Sequence, residues 1–224
     1  MSPAQVLSAD EVATFLGAVD WFIAVTEQAA VAAGWAGPSA LVGYSIGGLV
    51  AHGAVAGVLR LEQVLGEPEP TDGTEVDVAA YYGPNRVGGV DGADPLLAMA
   101  RAAGEELAQR GHAGVLESCR QGRTRLGAVL PEARADRVVP VLRVRGGVTP
   151  LADYLRTRVL ELLVHGDDVV ASVPGLTVPD PPSAAVEVCL GLCLDLSRAR
   201  LGDVATLRAF TRAERVDPGS LRAL

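Results

Sequence analysis

The sequence contains no lysine, so all 19 of its basic residues are arginines. The 27 acidic residues outnumber them, and the formal net charge of the 224-residue chain is −8. Proteins that bind nucleic acid through its phosphates present a basic patch or stripe, which this acidic chain does not supply. We therefore expect no nucleic-acid partner.

Cysteine is scarce, with Cys119, Cys189 and Cys193 as the three examples. An odd number without a regular spacing does not suit a disulfide framework, so we expect a reducing, cytoplasmic compartment. Residues 1–10 lack the basic and apolar regions of a secretion signal, which favours the same compartment. Cys189 and Cys193 share one helix face with several leucines and are predicted to be small core residues.

Long uncharged stretches are also rare, and residues 41–59 form the one candidate for a membrane span. Ser45, His52 and five glycines interrupt its apolar character, and Arg60 and Glu62 follow directly. We predict a buried helix at the centre of a helical bundle, and no membrane partner.

Capping signals and apolar periodicity predict a mainly α protein. Ser8 and Glu11 have the spacing of a capping box. Thr149 and Pro150 supply a predicted N-cap followed by proline at the first helical position. The long helices are predicted at residues 9–33, 45–65, 93–130 with a bend at Gly111, and 149–172. Shorter helices are predicted at residues 183–200 and from Asp203.

The spacing of these helices predicts the architecture. Residues 66–90 are rich in glycine, proline and aspartate and are predicted to be a long connection, whereas residues 137–145 alternate like a short extended piece. Four long helices with one long crossover connection predict an antiparallel four-helix bundle. We expect the bundle to occupy residues 1–176, and a short C-terminal helical appendage to occupy residues 177–224.

Histidine is as scarce as cysteine, with three residues, and its placement predicts the chemistry. Glu161 stands four residues before His165, so both side chains share one face of the last long helix. His52 lies in another apolar helix. If the two helices pack together, two imidazoles and one carboxylate converge, which is the ligand set of a zinc site with one open position.

Simpler interpretations of the same residues remain open. A lone histidine such as His52 in an apolar helix is commonly a satisfied core residue. Pairing with Arg158 would satisfy a buried Glu161 without any metal, because an unpaired buried carboxylate is unfavourable. His112 is predicted to lie on the surface. A cluster of arginines is predicted to form a solvated face: Arg120, Arg123 and Arg125.

Residues 43–47, Gly-Tyr-Ser-Ile-Gly, match the Gly-x-Ser-x-Gly nucleophile elbow of α/β-hydrolases. Residues 163–168 look like the strand end that carries the acid of the hydrolase triad. In those enzymes a histidine follows the serine and the acid, but no histidine follows His165. A serine hydrolase with Ser45 as its nucleophile is therefore the weaker alternative.

Two separated segments carry a broader resemblance. Residues 38–52, Pro-Ser-Ala-Leu-Val-Gly-Tyr-Ser-Ile-Gly-Gly-Leu-Val-Ala-His, resemble the second-helix signature of the mycothiol-dependent maleylpyruvate isomerase metal-binding family, within the DinB-like bundle superfamily. The family's second signature is an arginine followed by Glu-x-x-x-His-x-x-Asp. Arg158, Glu161, His165 and Asp168 match it position by position.

The match has local departures. Tyr44 replaces the usual tryptophan, Gly48 stands where a polar residue is common, and Gly53 replaces the leucine after the histidine. The tail from Leu201 to Arg215 resembles the family's usual ending.

The resemblance implies that His52, Glu161 and His165 bind a divalent metal, usually zinc, on a DinB-like bundle. Three protein ligands without cysteine leave one coordination position for water or for a thiol. It also implies that mycothiol or another low-molecular-weight thiol attacks a small electrophile, in an isomerase or a thiol S-transferase. Asp168 would orient a ligand imidazole, and Arg158 would hold Glu161 or a substrate carboxylate.

We expect the metal to face a pocket between the bundle and the segment after Pro182. Positive charge for an acidic substrate would come from Arg158 or from an arginine of the tail: Arg208, Arg212 or Arg215. A bundle whose metal is structural or lost would instead serve as a non-catalytic regulator, and that alternative stays open.

Overall fold

The computed structural model describes residues 5–82, 95–142 and 144–211, and it confirms the mainly α class. The helices are α1 (Ala9–Thr26), α2 (Ala29–Ala33), α3 (Ile46–Ala54), α4 (Arg60–Gly66), α5 (Val78–Tyr82), α6 (Pro95–Ala108), α7 (Gly111–Val129), α8 (Leu151–Ser172), α9 (Ser183–Leu201) and α10 (Asp203–Thr211). A π-helical turn joins α3 to α4, and a short 3-10 turn follows α7.

Helix α1 begins with the predicted capping box. The Ser8 hydroxyl accepts a hydrogen bond from the Glu11 amide, and the Glu11 carboxylate accepts one from the Ser8 amide. The helix ends at Thr26, so the predicted continuous helix to Ala33 is wrong. Gln28 adopts a ψ of 138°, which interrupts the helix before α2 begins.

His112 is half-buried near the start of α7, so its predicted placement on the surface is wrong. Its Nε2 atom lies 2.7 Å from the carbonyl oxygen of Thr26, and its ring stands edge-on to the ring of Trp35. The last carbonyls of a helix have no partner within that helix. His112 therefore supplies a partner for the end of α1.

Helix α3 begins where the sequence predicts, because the Ser45 hydroxyl caps it by accepting from the Gly48 amide at 2.8 Å. The helical stretch continues through the π turn (Val55–Leu59) and ends at Gly66, which confirms the extent of the second predicted helix. The π turn itself was not predicted. Among the described helices, none combines the length and the apolar character needed to cross a bilayer.

Gly111 separates α6 from α7 with a φ of 73°, a conformation that glycine adopts without strain, which confirms the bend predicted there. Helix α8 ends at Ser172, as predicted. Its start is different. Thr149 and Pro150 belong to a strand, and Pro150 is the N-cap without any side-chain hydrogen bond. The predicted cap by Thr149 is wrong because strand pairing takes up this residue.

A small sheet has the strand order β1-β3-β2, with β1 at Thr74–Glu75, β2 at Val138–Val141 and β3 at Gly147–Pro150. Strand β1 runs parallel to β3, and β2 runs antiparallel to it. Strand β2 confirms the predicted extended piece. The predicted long connection over residues 66–90 contains two short elements, β1 and α5, as far as Tyr82; residues 83–94 lie outside the described ranges.

Helices α1, α3, α7 and α8 pack around one apolar core. Its largest fully buried side chains include Phe15 and Phe22 of α1, Leu49 of α3, Leu126 of α7 and Leu162 of α8. Each helix buries one apolar stripe, as helices of a layered domain do. The packing places α3 beside α8, which are the two helices that carry the predicted ligands.

Helix α9 packs against α8 and α1, and α10 packs against α9, so both shorter predicted helices are present. A second, smaller apolar cluster joins α5, α8 and α9: Tyr82, Leu160, Leu192 and Leu196. Cys189 and Cys193 are partly buried against this cluster, and Cys119 lies in the main core. All three cysteines are free thiols.

Candidate metal centre

The structure brings together the three residues that the sequence selects as ligands. His52 projects from α3, and Glu161 and His165 project from α8. One ligand atom of each residue lies within 4.8 Å of the others. The two imidazole rings are 4.7 Å apart between centroids, with their planes at 70°. Among the described residues, this is the one cluster of three potential metal ligands.

Two features of the sequence produce this convergence. The four-residue spacing places Glu161 and His165 on one face of α8. Gly53, directly after His52, lets α3 approach closely, because a Cβ atom there would lie 2.7 Å from the Phe22 ring and 3.1 Å from the His165 Cβ. The glycine that departs from the family's usual leucine therefore has a packing reason.

Glu161 is an ionised carboxylate, and each of its two oxygens has a polar partner. Its Oε2 lies 3.2 Å from Nε2 of His165, and its Oε1 accepts a hydrogen bond from the Tyr82 hydroxyl at 3.3 Å. Burial raises the pKa of this carboxyl, but the hydrogen bond with His165 and the charge of Arg158 outweigh burial and lower the pKa to about 2. The carboxylate is thus in the form that binds a metal.

His165 lies between two carboxylates. Its Nδ1 donates to Oδ2 of Asp168 at 3.2 Å, while its Nε2 faces Glu161. Burial lowers the pKa of His165, but the hydrogen bonds to Asp168 and Glu161 outweigh burial and raise the pKa to about 9. A metal at this site must therefore displace a proton from His165.

His52 is a neutral imidazole. Burial, followed by the neighbouring charge of His165, lowers its pKa to about 4, although a hydrogen bond with the Ala100 backbone acts in the opposite direction. Its ring lies tilted against the Tyr44 ring, with 5.4 Å between centroids. Neutral imidazole is the form that coordinates metals.

Arg158 is buried behind the cluster and makes several hydrogen bonds. Its guanidinium donates to the carbonyl of Ala56, inside the π turn, at 2.6 Å, and to the Thr157 hydroxyl at 3.0 Å. It also donates to the Tyr81 hydroxyl, and its Cζ lies 4.4 Å from the centroid of the Tyr154 ring. These contacts hold Arg158 within the protein interior.

The alternative in which Arg158 directly neutralises Glu161 does not match this geometry. The carboxylate of Glu161 pairs with His165, and within the described ranges no ion pair joins Glu161 to Arg158. Arg158 still influences Glu161, because its charge lowers the pKa of that carboxyl.

The donor set fits a divalent metal such as zinc. Two imidazoles and one carboxylate without cysteine match zinc sites that keep one position for water or substrate. Asp168 also stands where an outer carboxylate orients a ligand imidazole and increases its basicity.

Ser45 is placed for capping and not for nucleophilic attack. Its amide and its hydroxyl donate to the Glu105 carboxylate at 2.8 and 2.9 Å. A Cβ atom at Gly48 would overlap this carboxylate, which explains the glycine at that position. Since the Ser45 hydroxyl hydrogen goes to Glu105 and not to a histidine, the structure gives no support to the hydrolase interpretation.

Three side chains that the sequence did not predict as site residues surround the cluster. Tyr82 binds Glu161, Tyr44 contacts His52, and the Arg101 guanidinium lies 5.5 Å from the centroid of the Tyr44 ring. Within the described part of the chain, Arg101 forms no ion pair, and its buried Nε has no hydrogen-bond partner. The one signal for this group was Tyr44, which replaces the family's tryptophan.

The remaining sequence candidates lie elsewhere. The arginines of the predicted solvated face form surface ion pairs: Arg120 with Glu27, Arg123 with Asp20, and Arg125 with Glu62. Arg208 is exposed on α10, and Arg212 and Arg215 lie outside the described residues. The predicted pocket after Pro182 stays a prediction.

Fold and site together define a mainly helical protein in which two neighbouring helices present a cluster of possible metal ligands. Residues 17–170 match the family described as Mycothiol maleylpyruvate isomerase N-terminal domain. The match spans more than half of the chain and includes all three clustered residues, so the chain belongs to this family. Comparisons with curated proteins and with solved structures gave no match.

Proposed function

We propose that this protein binds a divalent metal, zinc in the first place, through His52, Glu161 and His165 on a DinB-like four-helix bundle. The observation that carries the proposal is the convergence of these side chains within 4.8 Å. Family membership supports it, because the matched residues include both helices that contribute ligands.

We further propose that the protein is a metal-dependent isomerase or thiol S-transferase that uses mycothiol or another low-molecular-weight thiol, as the family description suggests. A bound divalent metal lowers the pKa of a coordinated thiol and makes it nucleophilic near neutral pH. Glu161 and His52 are already in their binding forms, since one is ionised and the other neutral. Asp168 holds the ring of His165, and the hydrogen bond with His165 together with the charge of Arg158 keeps Glu161 ionised.

The substrate side of the site is proposed to include Arg101. Its guanidinium borders the Tyr44 ring, and that ring borders His52. A planar guanidinium that has no carboxylate partner among the described residues suits a carboxylate on a small electrophile. Arg158 is less suited to this task, because its contacts to Ala56 and Tyr81 already occupy it.

Residues 1–176 are proposed as the metal-binding unit and residues 177–224 as its helical appendage. We propose a cytoplasmic location, since free thiols and a low-molecular-weight thiol substrate both suit a reducing compartment.

A non-catalytic regulatory role is the second candidate. The observation that favours it is the limited exposure of the cluster, since the His165 and Glu161 side chains are 12% and 20% exposed. Such burial restricts the approach of a thiol, whereas it is well suited to a structural ion.

Metal analysis of the purified protein, followed by assays with mycothiol and electrophiles that include maleylpyruvate, tests the proposal. We expect about one metal ion per chain, lost in His165→Ala, and turnover that is lost in Glu161→Gln. Arg101→Met should raise KM for an acidic electrophile, whereas Arg120→Met on the surface should not. Stoichiometric metal without thiol consumption would favour the regulator, and a metal-free wild type would contradict the proposal.

A further inference from the structure

The two carboxylate oxygens of Glu161 have different partners. Oε2 faces the imidazole of His165 at 3.2 Å, on the side of the candidate ligands. Oε1 accepts a hydrogen bond from the Tyr82 hydroxyl at 3.3 Å. The Tyr82 hydroxyl and the His165 imidazole therefore contact different oxygens of one carboxylate.

Two acceptors lie near the buried hydroxyl of Tyr82, and the Glu161 carboxylate is the stronger of them. The residue is 2% exposed, and its ring packs in the apolar cluster between α8 and α9. The Thr157 carbonyl is also near, at 3.4 Å, but it lies inside α8, where the amide one turn later is its helical partner. A hydroxyl has one hydrogen to donate, and an ionised carboxylate is the stronger acceptor.

The backbone around Tyr82 is anchored to the small sheet. The Thr74 amide donates to the Gly146 carbonyl at 2.9 Å, and the Val76 amide donates to the Val148 carbonyl at 2.8 Å. Helix α5 begins two residues after Val76 and ends at Tyr82. Since β3 leads directly into α8, the sheet connects the segment that carries Tyr82 to the helix that carries Glu161.

We propose that Tyr82 is a positioning residue, whose hydroxyl holds Oε1 of Glu161 and so keeps the carboxylate, with Oε2 beside His165, in place within the ligand cluster. Its expected effect on metal affinity rests on the proposed function. The hydrogen bond between Tyr82 and Glu161 does not, because it joins two side chains of the protein directly.

The physical basis is the freedom of a glutamate side chain. Without a partner for Oε1, the carboxylate rotates about its last torsion, and ordering it becomes part of the free energy of metal binding. Loss of outer partners of this kind weakens metal binding by about 10- to 100-fold. We expect Tyr82→Phe, which keeps the ring and removes the hydroxyl, to weaken zinc binding by at least about tenfold.

The test measures zinc affinity by chelator competition, together with urea unfolding of the metal-free protein. Tyr154→Phe is the matched control, because it also removes a hydroxyl from a buried tyrosine, on α8 itself, and no hydrogen bond joins Tyr154 to Glu161 among the described residues. Both tyrosine variants are also made in a Glu161→Ala background, which gives a double-mutant cycle. We expect Tyr82→Phe to lower the urea midpoint of the metal-free wild type and to have no such effect after Glu161→Ala.

The outcomes separate the two proposals. A wild type that binds no zinc contradicts the proposed function, while the unfolding cycle still decides whether Tyr82 acts through Glu161. Tight zinc binding that Tyr82→Phe leaves within about twofold of wild type overturns the positioning role and leaves the metal site intact. Equal midpoint shifts in both backgrounds also overturn it, since they indicate a purely structural hydroxyl.

Discussion

At the scale of single residues, the site depends on how Glu161 and His165 change one another's protonation. Burial alone would neutralise both groups, but each stabilises the charged form of the other across 3.2 Å. Asp168 adds a second acceptor for the same ring. The metal-free site is therefore a buried ion pair, and a divalent ion must compete with the proton on His165.

The first prediction concerns this proton. The pKa of His165 is raised from 6.5 to about 9, whereas Glu161 is ionised above about 2 and His52 is neutral above about 4. Near neutral pH, zinc binding should therefore release about one proton from His165. Affinity should rise about tenfold per pH unit and level off near the raised pKa. Calorimetry in buffers of different ionisation enthalpy measures the released proton.

Asp168→Asn provides the control for that prediction. It removes a charge that raises the pKa of His165, so fewer protons should be released and the affinity should level off at a lower pH. Proton release that is unchanged in this variant would contradict the assignment to His165.

At the scale of secondary-structure elements, contacts at both ends of helix α3 fix the position of His52. Ser45 and Glu105 satisfy the amides at its N-terminus. At the other end the π turn gives its Ala56 carbonyl to Arg158 of α8. Turns of this kind often occur at functional sites. Here the turn lets a buried arginine join the two helices that carry the candidate ligands.

The second prediction concerns the cap of α3. Ser45→Ala should lower the free energy of unfolding by about 1 kcal/mol, because the Gly48 amide loses its acceptor. Ser8→Ala, at the cap of α1, should have a similar effect. Urea unfolding measures both, and zinc stoichiometry should be unchanged in each. Unchanged stability together with complete loss of turnover in Ser45→Ala would instead restore the nucleophile interpretation.

At the scale of the whole molecule, α9 packs against α5 and α8, the two helices that carry Tyr82 and Glu161. Leu192 is fully buried against Tyr82 and Leu160, so a residue beyond position 176 completes the packing of helices that belong to the predicted bundle. The Trp21 indole also donates to the Pro179 carbonyl at 2.8 Å. These contacts link the proposed appendage to both α1 and α8.

The third prediction tests that link. Leu192→Ala should destabilise the protein by about 2–5 kcal/mol through the cavity it leaves. Leu190, on the same helix, is 65% exposed, and Leu190→Ala should stay within about 0.5 kcal/mol of wild type. Urea unfolding followed by fluorescence of Trp21 and Trp35 reports on the bundle side. An unchanged tryptophan transition in Leu192→Ala would show that the appendage unfolds independently.

Much of this protein is determined by local sequence. The capping box at Ser8, the cap at Ser45, the bend at Gly111 and the end of α8 at Ser172 were all predictable, because each depends on residues within about one helical turn. The pairing of Glu161 with His165 is equally local. Only the helical period is needed to place both on one face.

The tertiary structure decided what depends on distant partners. Thr149 joined a strand because β2 lies beside it, and His112 became half-buried because α1 ends against α7. Arg158 donates to the Ala56 carbonyl, which lies in a π turn more than 100 residues away in the sequence. Tyr82 reached Glu161 because the sheet brings α5 to α8. No local pattern encodes such contacts, since each arises when segments far apart in sequence bury one another's polar groups and must satisfy them together.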